Sequence, residues 1–132
     1  MKACKKHNAK VLFGNDLVAS LESKKLQAEE FIHRTKWFSN AEILAQATSI
    51  NGEVLALSGP RNPYPGKLGV IEEGALADLL LINGNPLEEL TVLRDYHKNL
   101  KLIMQDGKIL RKTRVPAGDQ DYRPAISSVV TN

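Results

Sequence analysis

Residues 66–86, GKLGVIEEGALADLLLINGNP, decide the fold, because apolar runs, turn glycines and a closing proline fall at intervals that suit short strands. Leu68 and Val70 alternate with Lys67, Gly69 and Ile71, and Glu73-Gly74 can turn the chain. Ala77 to Ile82 is then a continuous apolar run broken only by Asp78. Such a run predicts a strand buried on both faces. Asn83-Gly84-Asn85-Pro86 stops it, since glycine and asparagine tolerate positive φ and proline has no amide for a ladder. A carboxylate inside the run costs several kcal/mol if it is buried without partners, so Asp78 is expected to meet backbone amides or a basic group, in a structural role.

Downstream, Leu87 to Leu93 predicts a short helix and Leu100 to Met104 a strand. Asp106-Gly107 is the strongest hairpin signal in the chain and returns it through Ile109 and Leu110. Residues 113–132 carry Pro116, Gly118 and Pro124 with few large apolar side chains, the pattern of an irregular tail.

Upstream the pattern changes. Met1 to Asn8 reads as the end of a helix with an exposed lysine face, and Ala9 to Phe13 as a short strand that ends abruptly at Gly14-Asn15-Asp16. In α/β proteins the carboxyl end of a strand is where functional side chains gather, so Asp16 is the first residue to weigh. From Leu26, residues Ala28, Phe31, Ile32, Thr35 and Phe38 share one helical face, with Glu29, Glu30, His33, Arg34 and Lys36 mostly outside it. Ser39-Asn40-Ala41-Glu42 fits a capping box that opens a helix burying Ile43, Leu44 and Ala47. Asn51 to Leu57 adds further helix, and Ser58-Gly59-Pro60 ends it. The strand at Ala9 to Phe13 lacks obvious neighbours in a chain whose other strands form a group of their own.

The 132 residues, 42% hydrophobic and 25% charged, suffice for one domain or for a piece of a larger one. A net charge of +3 from scattered residues, without a nucleic-acid motif, argues against a nucleic-acid surface. No stretch nears the roughly 18 apolar residues that span a bilayer, and no apolar signal core follows the basic N-terminus. The single cysteine, Cys4, is compatible with a reducing compartment such as the cytoplasm.

Few side chains carry chemistry by themselves. Cys4 and His7 have i, i+3 spacing, but two ligands on a lysine-rich helix do not define a metal site. His33 reads as a surface or interhelical side chain and His97 as part of a polar connector. Ser20, Ser23, Ser39, Ser49 and Ser58 lack the glycine-framed elbow of a catalytic serine. The glycines of PYPGKLG and NGNP do not form a phosphate loop, because neither stretch precedes a helix with the lysine and hydroxyl arrangement that phosphate binding needs.

Five segments, taken together and in order, carry a resemblance: FGND at Phe13 to Asp16, EFIHR at Glu30 to Arg34, SNAEILAQATSINGEVLALSG at Ser39 to Gly59, LGVIEEGALADLLLINGNPLEEL at Leu68 to Leu90, and IMQDGKIL at Ile103 to Leu110. Over about residues 3 to 112 the chain closely resembles the C-terminal part of a metal-dependent amidohydrolase, in the branch of imidazolonepropionase-like and Xaa-Pro dipeptidase-like enzymes.

The fold this implies is an α/β fragment: the last strand and helices of a (β/α)8 barrel in residues 1–60, followed by the C-terminal half of a small composite β-sandwich in residues 61–112, with 113–132 as a tail. Asp16 falls on the family's aspartate after the eighth strand, where it would approach the metal and take a proton from the metal-bound water. Asn15 stands where the family commonly has threonine or serine. The family's metal centre also needs a His-x-His pair and further histidines, and His7, His33 and His97 match none of those positions. A defined divalent site needs three or four protein ligands. The expectation is therefore a hydrolase acting on amide-like C–N bonds of small or dipeptide-like substrates, with zinc as the expected metal, only when the chain is part of a complete enzyme. The chain alone is expected to bind no metal and to be inactive. The alternative is a non-catalytic assembly module. Both readings imply partners: a second copy of the chain or a complementary N-terminal chain.

Overall fold

The computed structural model describes residues 1–15 and 26–113. They form a helical half followed by a three-stranded antiparallel sheet. The tail expected over 113–132 lies outside the described residues from Arg114 onward.

Helix α1 (Lys2–Lys6) has no buried residue, and its last turn is basic, as suits the negative end of a helix. Lys5 binds Glu42 at 3.2 Å and lies 4.8 Å above the Phe38 ring, so part of the lysine face docks α1 on the helices instead of facing only solvent. Helix α2 (Glu29–Arg34) is shorter than its apolar periodicity predicts, because the segments on either side close into turns.

Helix α3 (Asn40–Ala45) begins at the expected capping box. The Ser39 Oγ accepts the Glu42 N–H at 3.3 Å, and the Glu42 carboxylate accepts the Ser39 N–H at 2.7 Å. The chain then continues without a break through a π-helical turn, Gln46–Ile50, into α4 (Asn51–Ala56). The hydroxyls of Thr48 and Ser49 return to the carbonyls of Leu44 and Ala45, at 2.7 and 3.5 Å. Such bonds compete with the backbone ladder and favour local distortion of a helix. Gly59, at φ +56°, lies in the single 3₁₀ turn Gly59–Arg61 that follows.

The widened turn is also where the later chain crosses the helix. A Cβ on Gly69, whose φ is +73°, would stand 2.3 Å from the Thr48 carbonyl, and one on Gly52 would stand 2.2 Å from the Leu68 carbonyl oxygen. The two backbones touch because both surfaces lack side chains at the crossing.

The sheet has the order β1 (Leu79–Ile82), β2 (Leu100–Gln105), β3 (Lys108–Lys112). The β2–β3 hairpin turns at Asp106 and Gly107, at φ +48° and +72°, the left-handed pair that matches the twist of the flanking strands. Between β1 and β2 lie two short helices, α5 (Thr91–Arg94) and α6 (Tyr96–Asn99). This connection ties the sheet to the helices. Leu90 joins Phe38 and Ile43 in the core, and the Asn40 side-chain amide donates to the carbonyls of Leu87 and Glu88, both at 3.0 Å.

Ala9 to Phe13, which the sequence leaves without obvious neighbours, joins no sheet among the described residues; Val11 and Phe13 pack on the helical core. Two expectations are corrected. In the 66–86 stretch only Leu79–Ile82 is a strand, the segment before it contributing an isolated bridge between Lys67 and Ala75. That strand is not buried on both faces, for Leu80 and Leu81 are 62% and 51% exposed. The helices stand opposite Leu80 and Ile103 only across an open cavity, and three strands so placed do not bury both faces of an edge strand. Asp78 is likewise exposed, and it meets the amide expected of it: its Oδ1 accepts the Asp106 N–H at 2.7 Å, joining the start of β1 to the hairpin turn.

Candidate functional site

The residue to which sequence reasoning assigned chemistry, Asp16, lies outside the described residues. The stem that leads to it, Phe13-Gly14-Asn15, is described, and it is clamped from three sides.

The first clamp is Asn51. Its Oδ1 accepts the Phe13 N–H at 3.1 Å, and its Nδ2 donates to the Phe13 carbonyl at 3.0 Å. A side-chain amide carries one acceptor and two donors, so it can satisfy both backbone groups of one residue as a neighbouring strand would. This explains how Phe13 stays ordered without a sheet partner. Asn51 reaches it because the helix continues unbroken past the π-helical turn.

The second clamp is Arg34, which the helical periodicity placed outside the apolar face and which is in fact 5% exposed. Its Nε donates to Glu30 Oε1 at 2.6 Å, one turn back on α2, and its Nη1 to Gln46 Oε1 at 2.7 Å. Its Nη2 reaches the Gly14 carbonyl at 3.5 Å, and the guanidinium plane lies 4.7 Å from the centre of the Phe13 ring. A buried guanidinium is costly unless its donors are satisfied. Here a carboxylate, a side-chain amide and a backbone carbonyl divide them, and among the described residues no buried side-chain polar atom lacks a partner. Planarity lets arginine stack on an aromatic ring while its edge bonds to three groups, which lysine cannot do. Phe31 completes the packing, its ring centroid 4.4 Å from that of Phe13.

The third clamp is Asn15, whose Nδ2 donates to the Gln27 carbonyl at 3.1 Å. Beneath the stem a cavity of about 390 Å³ opens between the helices and the sheet. Phe13, Phe31, Leu93, Leu80 and Ile103 give it apolar walls, with Asn15, Gln27 and Arg111 also on its lining.

Sequence reasoning missed Arg34, Gln46 and Asn51. The i, i+4 spacing of Glu30 and Arg34 was a signal for one pair, and a polar asparagine within a helix was a weak one for Asn51. Nothing local announces that residues so far apart converge on Phe13.

The remaining candidates are not brought together. Cys4 is half-buried; His7, His33 and His97 are exposed, and the His97 ring stacks on Tyr96 with centroids 4.0 Å apart. Among the described residues no group of three or more His, Cys, Asp or Glu side chains could hold a metal ion, so these residues do not by themselves fit the divalent metal that the resemblance implies. No helix among them is long and apolar enough to cross a membrane.

Ion pairs elsewhere are peripheral. The Ser39 backbone N–H, then the Ser39 hydroxyl and Lys5, hold the Glu42 carboxyl below its ordinary value. Glu72 raises Lys67 above the ordinary lysine value, chiefly through a hydrogen bond.

No family model and no curated protein matches the chain. Solved structures do. The chain is 31% identical to an uncharacterized protein, with a TM-score of 0.71 over 85% of the chain. It is 33% identical to an amidohydrolase, again with a TM-score of 0.71 over 85% of the chain. With a prolidase complexed with N-methylphosphonate-L-proline the values are 32%, 0.67 and 85%. The chain spans about a quarter of the length of each, between 25% and 26%. Likeness in both sequence and fold to an amidohydrolase and a prolidase supports a relationship to the amidohydrolase superfamily, and so to hydrolases, at a coarse level.

Proposed function

We propose that this chain is the C-terminal portion of an amidohydrolase-like, metal-dependent hydrolase acting on C–N bonds, and that it is inactive alone. The observation that carries the reading is the amidohydrolase match at 33% identity, which takes in 85% of this chain and 25% of the other. In this reading residues 1–60 are the last strand and helices of a (β/α)8 barrel, and residues 61–112 are half of a composite sandwich. Asp16 is its one catalytic and metal-binding residue. The stem geometry supports that placement, since Asn51, Arg34 and Asn15 hold the three residues before Asp16 in a fixed position. The other metal ligands would come from a complementary N-terminal chain, because the described residues supply no cluster of three. Zinc would activate water there, and this chain's part is to present one carboxylate. The substrate class is a small amide or dipeptide-like molecule.

The test is hydrolysis of a proline-terminated dipeptide by the purified chain with added zinc. No turnover is expected. Zinc-dependent turnover that disappears in Asp16→Asn would overturn the prediction of inactivity while supporting the role of Asp16.

One observation favours a second reading, that of a non-catalytic assembly module. Leu80, Leu81, Ile109 and Leu110 are between 51% and 62% exposed on the sheet, and exposed apolar surface of this kind marks interaction sites.

A further inference from the structure

The sheet has two outer edges, and among the described residues no strand pairs with either. Chemically they are opposites. β3, KILRK, carries Lys108, Arg111 and Lys112, and all of its residues are exposed. Cations on an edge strand are a standard defence against pairing with a like strand, because an antiparallel copy would bring positive charges face to face. β1, LLLI, carries no charge, and its two central residues are exposed.

We propose that the open edge of β1 is an interface between two copies of this chain, the two strands pairing antiparallel across a twofold axis. Of the possible edge contacts, β3 against β3 is opposed by charge. β1 against β3 is heterologous and would continue into a ring or an open filament, whereas β1 against β1 uses the same patch twice and closes as a dimer. Pairing leucine-rich strands places no like charges opposite each other and covers Leu80 and Leu81. It also satisfies the backbone groups of the outer edge. The contact is small. One four-residue strand covers far less than the roughly 800 Å² per partner of a stable interface, so the dimer forms only at high concentration. In the hydrolase reading a complementary N-terminal chain would compete for this sheet, so the dimer is a property of the chain by itself.

The experiment is sedimentation of the full chain from low micromolar to near-millimolar concentration, with amide exchange followed at residues 79–82. A monomer–dimer equilibrium is expected, with exchange at those residues slowing as dimer accumulates. Leu81→Lys should raise the dissociation constant about tenfold or more, equivalent to about 1.4 kcal/mol, whereas Leu110→Lys on β3 should leave it unchanged. Circular dichroism establishes that each variant folds, and if Leu81→Lys does not, the exchange measurement on the unmodified chain decides. A monomer at every concentration overturns the proposal. So does a dimer that survives Leu81→Lys in folded protein, a dimer without slowed exchange at 79–82, or a species that grows without limit.

Discussion

The helical half and the sheet half contain similar apolar side chains but bury them differently. Phe38, Ile43 and Leu90 are 7%, 0% and 3% exposed where α3 meets the connection before α5, whereas no residue of the three strands is fully buried. Two helices and a docked segment can enclose a small core by themselves. A sheet needs a second layer over each apolar face. The helical half therefore holds the fold together, while much of the sheet's apolar surface is left available to a partner.

The sharpest way to break this comparison is to truncate one apolar side chain in each half. Ile43→Ala should cost about 2–5 kcal/mol, the range for emptying a packed core site. Leu110→Ala, at a position 62% exposed, should change stability by about 0.5 kcal/mol or less. Urea unfolding of the two variants measures both, and equal losses would mean that the sheet is covered as well as the helices are.

A smaller effect tests the clamp on the stem. Asn51→Ala leaves the Phe13 N–H and carbonyl without their partner, a loss of about 1–3 kcal/mol for each group that stays unsatisfied. Amide exchange at Phe13 should accelerate while the β2–β3 amides keep their rates. Acceleration spread evenly over both halves would show that the two are not energetically distinct.

The smallest effect lies at the helix start. Glu42→Ala removes half of the capping box and should cost about 1 kcal/mol or less, because the pair with Lys5 is exposed and screened. The folded state lowers the Glu42 pKa, so the unfolded chain takes up the proton first as pH falls. The stabilisation is present above the ordinary glutamate value of about 4.3 and is lost as pH drops through the lower folded value. A pH series of thermal midpoints should show a drop on the acid side that is smaller in Glu42→Ala; identical profiles would remove the box from the stability of the helical half.

Local signals were read correctly where the chemistry is local. Ser39 and Glu42 are three residues apart and cap one another, and Asp106-Gly107 needs only its own dihedral angles to make a hairpin. The reading of Ala77 to Ile82 as a doubly buried strand was wrong, because an apolar run states what a strand could bury and not whether a layer is there to cover it. Arg34 was misplaced for a related reason: charge and helical period put it at the surface, and only the convergence of Glu30, Gln46 and Gly14 makes its burial affordable.

The amino-acid order by itself determined the caps, the turns, the apolar stripes and the kinship carried by five ordered segments. The tertiary structure decided what those pieces touch. It showed that Phe13 borrows an asparagine side chain in place of a strand neighbour, and that Gly52 and Gly69 let two backbones meet. It also showed that, among the described residues, β1 pairs on one side only. The division follows from range: dihedral preference and i to i+3 bonding act between neighbours in sequence, whereas burial and backbone contact depend on segments that only folding brings together.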